Sequence, residues 1–176
     1  DAPGITVNEM DTVAIHGLST CEVGFADVVL GDDAVLGDVD RGFRQVIGTL
    51  NGERLNAAAV ALGIARGAHD AALDYVRGRE AFGRPIGGFQ VLQHRMVDMF
   101  MEHEQSISMT YMATLKLDED EVTRKKAASA AKVRIDQAGR FIGQEAVQIH
   151  GGMGMTDELA VGHYFKRLTM IDSEFG

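Results

Sequence analysis

The chain has 176 residues, 45% of them hydrophobic and 24% charged, which is ordinary globular composition and long enough for one well-buried core. Its formal net charge of −9 argues against nucleic acid or an anionic membrane surface as the main partner, because either favours a basic face. The single Cys21 excludes an intramolecular disulfide and any multi-cysteine metal site, so a reducing compartment is expected.

The sequence opens at Asp1 with neither an initiator Met nor a signal-peptide pattern and reads as a piece of something longer. Residues 1–38 carry short β-favouring runs, Val13–His16 and Val23–Leu30, separated by Gly and Asp turns. Two or three strands cannot bury a face alone, so this region is expected to be the tail of a β-domain. Residues 39–176 change to a helical period. The first helix is expected over Gly42–Gly78, with Val46, Ile47, Leu50, Leu55, Leu62, Ile64, Leu73 and Val76 as its apolar positions. A second spans about Phe89 to Leu117, with its apolar residues at mixed three- and four-residue steps. A third runs from about Glu121 to Ile149, opened by acidic residues and closed by Gly151-Gly152. A fourth begins after Thr156-Asp157-Glu158 and carries Val161, Tyr164, Phe165 and Leu168. No apolar run approaches the roughly 20 residues that span a bilayer. Four long helices with short links predict a mainly α fold, an antiparallel four-helix bundle preceded by a few β-strands.

Most chemistry-bearing residues have a plain structural reading. The six histidines form no HExxH pair or other metal-ligand spacing, so no metal is expected. The Met residues of the second helix read as gap-filling core, and Arg124-Lys125-Lys126 as a solvated face. Gly151-Gly-Met-Gly154 follows a helix rather than a strand, which removes the dinucleotide-fold reading of a glycine-rich loop. Glu53 and Arg54 stand side by side in an alanine-rich helix. Adjacent helical residues do not face each other, so the two are either edge residues pointing to water or parts of a site.

Tyr75-Val-Arg-Gly-Arg-Glu-Ala-Phe-Gly-Arg-Pro-Ile-Gly-Gly-Phe-Gln90 resembles the Tyr-x-x-x-Arg-x-x-Phe-Gly-x-x-Ile-x-x-x-Gln segment of the acyl-CoA dehydrogenases. Gln144-Glu-Ala-Val-Gln-Ile-His-Gly-Gly-Met-Gly154 is similar to the same family's Gln-x-x-Gly-Gly-x-Gly loop. Glu22–Leu30 more weakly resembles the strand leaving its middle β-domain. The resemblance covers essentially the whole chain, in the family's order. It implies FAD as cofactor and desaturation of an acyl-CoA thioester between its α and β carbons. It further implies an electron-transfer flavoprotein as acceptor, assembly as a homo-dimer or tetramer, and a cytoplasmic location (the mitochondrial matrix in a eukaryote).

By position, Arg79 matches the arginine that meets the FAD pyrophosphate, which suits a guanidinium's forked donors. Phe82 matches the aromatic near the adenine end, and Gln90 the glutamine after the turn. Gln148, Gly151 and Gly152 match the loop whose backbone approaches the cofactor. Most members take their catalytic base from a Tyr-Glu-Gly-type segment after the fourth helix. Here that glutamate position falls on Phe175 with Gly176 following, and Glu174 stands one residue early. Isovaleryl-CoA and long-chain acyl-CoA dehydrogenases instead place the base in a Glu-Arg-Leu context on the first helix, which Glu53-Arg54-Leu55 matches. The resemblance therefore implies Glu53 as base and Arg54 as the arginine near the acyl-CoA. A non-catalytic subunit of a heteromeric dehydrogenase, lending its residues to a partner's FAD site, is the alternative.

Overall fold

The computed structural model describes residues 3–175, which form two compact units, one reaching to Thr49 and one starting at Leu50. In the first unit, β1 (Ile5–Met10) and β2 (Thr20–Phe25) form an antiparallel hairpin in which Ile5 pairs with Phe25 and Met10 with Thr20. Gly4 closes its base at φ +91°, accepting a hydrogen bond from the Ala26 amide. A Cβ at Gly4 would stand 2.1 Å from the Ala26 carbonyl oxygen, so only glycine fits there. Two expected runs are shifted. Val13–His16 lies in the connection between the strands, where the Thr12 hydroxyl donates to the Ile15 carbonyl. The run Val23–Leu30 stays in the sheet only to Phe25, because Asp27 turns the chain at φ +50°. The strand at Ile5–Met10 carries only Ile5, Val7 and Met10 as its apolar residues, a weak alternating signal.

The helices follow their expected positions: α1 (Gly42–Gly78), α2 (Gln90–Leu115), α3 (Glu121–His150) and α4 (Ala160–Ser173). Between α1 and α2 lies a miniature hairpin of β3 (Glu80–Ala81) and β4 (Arg84–Pro85). Asp120 caps α3 by accepting from the Val122 and Thr123 amides at 2.9 and 3.1 Å, filling the donors a helix start leaves unpaired. At the other end, Gly151 leaves the helix at φ +61°, a conformation that favours glycine.

The core of the second unit is made largely of alanine. Ala58, Ala61, Ala65, Ala68 and Ala72 of α1 meet Met96 and Met99 of α2 and Ile135, Ala138, Ile142 and Ala146 of α3. Small side chains let helix axes approach closely, while the larger apolar positions Leu62, Ile64 and Leu73 flank this seam half-buried. α4 is received by glycine-floored grooves. A Cβ at Gly139 would meet Leu168, one at Gly143 would meet Phe165 and Leu168, and one at Gly67 would meet Tyr164, all within 3.4 Å. Lys132 is also interior, 2% exposed. Its Nζ donates to Asp136 at 2.7 Å and to the Ile171 carbonyl at 2.8 Å, tying α3 to the last turn of α4. Burial raises the Asp136 carboxyl above its ordinary range, with the Lys132 hydrogen bond and charge opposing. Among the described residues, no helix is long and apolar enough to cross a membrane.

Candidate functional site

The end of α1 and the end of α3 meet at a cleft of about 550 Å³, lined by Tyr75, Arg79, Ile86, Ile149, His150 and the Gly151–Met153 turn. Local hydrogen bonding fixes the backbone on the α1 side. The Arg79 amide donates to the Tyr75 carbonyl and the Arg79 carbonyl accepts from the Ile86 amide, both at 2.8 Å. The Arg79 side chain is left exposed. On the α3 side, the Gly151 amide returns to the Gln148 carbonyl, and the space a Cβ would take on Gly151 or Gly152 is open apart from the adjoining backbone. With the Gly151 amide so engaged, what the cleft offers is an exposed guanidinium beside a glycine turn without side-chain bulk, chemistry suited to a diphosphate such as the one FAD carries.

Arg79, Gly151 and Gly152 thus line one cleft. Gln148 sits less than one turn before Gly151, with its side chain exposed. Phe82 and Gln90 belong to the adjoining turn rather than to the cleft lining. Phe82 adopts φ +53°, is 93% exposed and meets Phe89 edge-on at 6.1 Å. The Arg84 guanidinium covers the Phe89 ring at 4.1 Å, a cation–π contact, and Gln90 opens α2 with its side chain in solvent. Sequence reasoning overlooked Tyr75 and His150. Tyr75 precedes Arg79 by one helical turn, so their shared face was legible. His150 carried no such signal.

A second locus lies toward the other end of α1. Glu53 is exposed and Arg54 half-buried, because successive helical residues turn by about 100°. The Arg54 Nη2 donates to the Phe175 carbonyl at 3.4 Å, a long bond joining α1 to the segment after α4. Phe175 holds φ +64° and its ring packs half-buried on the main core. Glu174 is drawn aside by Arg167, whose Nη1 donates to it at 3.0 Å. Gly176, the expected glycine of this segment, lies outside the described residues. Arg54 and Phe175 are therefore neighbours, while the Glu174 carboxylate is held in an ion pair with Arg167 of α4.

Comparison with known proteins is consistent along the chain. The family model described as "Acyl-CoA dehydrogenase, C-terminal domain" matches residues 40–172. The chain is 38% identical over 162 residues to the probable acyl-CoA dehydrogenase YngJ of Bacillus subtilis, covering 92% of this chain and 42% of that protein. It is 36% identical over 162 residues to the 3-sulfinopropanoyl-CoA desulfinase of Paraburkholderia xenovorans, covering 90% of this chain and 41% of that protein. The structure of butyryl-CoA dehydrogenase from Megasphaera elsdenii superposes with a TM-score of 0.92 at 32% identity, covering 99% of this chain and 46% of that one. The chain thus spans less than half the length of the relatives it matches.

Proposed function

The chain belongs to the acyl-CoA dehydrogenase family, with the fold of its C-terminal helical domain, and from that premise we propose that its protein is an FAD-dependent dehydrogenase of acyl-CoA thioesters. The observation that carries this reading is the cleft in which α1 and α3 bring Arg79 beside the open backbone of Gly151 and Gly152. Phe82, Gln90 and Gln148 complete the cofactor contacts along the same end of the bundle. Residues 1–38 are read as the end of the family's middle β-domain.

In this reading, Glu53 is the carboxylate that removes the α-proton of the thioester, a general base on a fixed helix. Arg54 lies beside the acyl-CoA and, through the Phe175 carbonyl, holds the segment after α4 against α1. Bound FAD supplies the acceptor, N5, for the β-hydrogen as hydride. Arg54 and Arg79 are about 25 residues apart on one helix, roughly 38 Å. One end of α1 therefore serves its own subunit's substrate and the other a neighbour's cofactor in a homo-dimer or tetramer. An electron-transfer flavoprotein is the proposed acceptor.

A second reading has its own support. Phe175, which cannot take a proton, stands at the position that the family resemblance gives to the base of most members. The chain would then be a subunit that supplies Arg79 and Gln148 to a partner's FAD without itself abstracting a proton.

Anaerobic flavin bleaching by a panel of acyl-CoA thioesters separates the two, measured on the full-length protein with FAD bound. Glu53→Gln should slow bleaching by about 10²-fold or more, the scale of a lost general base, while Glu174→Gln leaves it near wild type. Wild-type flavin that no thioester bleaches would favour the non-catalytic subunit.

A further inference from the structure

His150 is a buried polar side chain on the wall of the Arg79 cleft, 8% exposed. Its ring is fixed twice. It stacks on Tyr75 with centroids 4.3 Å apart and planes inclined by 29°, and its Nδ1 lies 2.8 Å from the Ala146 carbonyl. A carbonyl oxygen only accepts, so Nδ1 carries a hydrogen, and in the neutral ring Nε2 is the bare nitrogen. Among the described residues Nε2 has no hydrogen-bond partner, and with Nδ1 turned back on α3 it is the ring's remaining polar atom for the cleft. The other titratable or charged groups lining the cleft are Tyr75 of α1 and Arg79 just past its end; the Gly151–Met153 turn adds backbone and a thioether.

These constraints give the ring a specific part in holding a diphosphate. A bound pyrophosphate would bring negative charge beside the ring, and a proton on Nε2 would turn it from an acceptor into a charged donor. Resting on the reading of this cleft as the FAD pyrophosphate site, we infer that His150 is a further cofactor contact, donating from Nε2 to a phosphate oxygen with one proton taken from solvent on binding. The stack on Tyr75 and the bond to Ala146 set the ring's direction beforehand, so little side-chain freedom is lost when the ligand arrives.

The test is calorimetric titration of FAD into the full-length apoprotein near neutral pH, in buffers of different ionisation enthalpy. Each phosphorus of FAD's pyrophosphate carries one ester and one anhydride linkage and stays singly ionised there, so proton exchange reports on the protein. Wild type should take up a substantial fraction of a proton per FAD. His150→Phe, which keeps an aromatic ring on Tyr75, should lose that uptake and bind FAD about 10-fold more weakly, the scale of one hydrogen bond to a charged group. His150→Gln, whose amide does not titrate, should likewise lose the uptake if the Phe variant does not fold. Wild-type binding without uptake, or a variant with unchanged uptake and affinity, overturns the inference. Arg79→Ala is the control for the site: an unchanged FAD affinity there would remove the cleft assignment itself, and the role of His150 with it.

Discussion

At the scale of single residues, the interior lysine shows most clearly what the sequence hides. Lys132 lies in Ala-Ala-Ser-Ala-Ala-Lys-Val-Arg, where a lysine in an alanine-rich helix reads as a solvated charge. The nearby Arg124-Lys125-Lys126 run does lie toward solvent, with Lys125 and Lys126 exposed and Lys125 paired to Glu121 at 2.5 Å. Lys132 is buried because the last turn of α4 presents it with the Ile171 carbonyl, a tertiary partner that no local pattern announces. Replacing it by Met would strand Asp136 and remove that donor. Chemical denaturation should show a loss of about 3–5 kcal/mol, the cost of breaking a buried pair from one side. The double change Lys132→Met with Asp136→Leu should recover most of this, since it removes both charges together. A double variant no more stable than the single one would mean that Lys132 acts chiefly through Ile171. Glu53 shows the opposite limit: the family motif located it on α1, yet in this structure its carboxylate faces solvent.

At the scale of elements, the helices were legible because their period persists over many residues, and the start at Glu121 and the stop at Gly151 carry the expected cap chemistry. The hairpin was less so. β1 and β2 are six residues each, with Val7, Val23 and Phe25 exposed; β2 alternates Cys21, Val23 and Phe25 with Thr20, Glu22 and Gly24, but β1 loses the alternation of a one-sided sheet at Glu9. The seating of α4 was not legible at all, since Gly139 and Gly143 are glycines within a helix, usually a cost to it. Their value is tertiary: they admit Leu168 and Phe165 against the α3 backbone. Gly143→Val should therefore lower stability by about 1–3 kcal/mol through overpacking. Gly139→Ala should cost less, because the nearest atom, Leu168 Cδ2 at 3.0 Å, is the free end of a flexible side chain. Parallel thermal melts of the two variants check the ranking, and equal losses would contradict it.

At the scale of the whole molecule, the two units differ in what holds them. From Leu50 on, a continuous core joins all four helices. Among the described residues before it there is a two-stranded hairpin whose apolar side chains are mostly exposed, an arrangement with marginal stability by itself. Brief trypsin treatment of this chain alone should cut first at the exposed Arg41 and Arg44, leaving a resistant product that begins at Gly42 or Gln45. Early cleavage within α2 or α3, seen by mass spectrometry, would contradict that order.

The unbroken course of α1 past both candidate loci limits how the gene can change length. A one-residue insertion between Arg54 and Arg79 would turn one end against the other by about 100° and slide it by about 1.5 Å. It would carry either the arginine at the cleft or the Glu53-Arg54 pair out of register, even if every other residue were kept. The turn between α2 and α3, at Lys116–Asp120, carries no such phase relation, so an extra residue there leaves both loci in step. Homologous sequences should accordingly vary in length at that turn and keep the count from Arg54 to Arg79 constant.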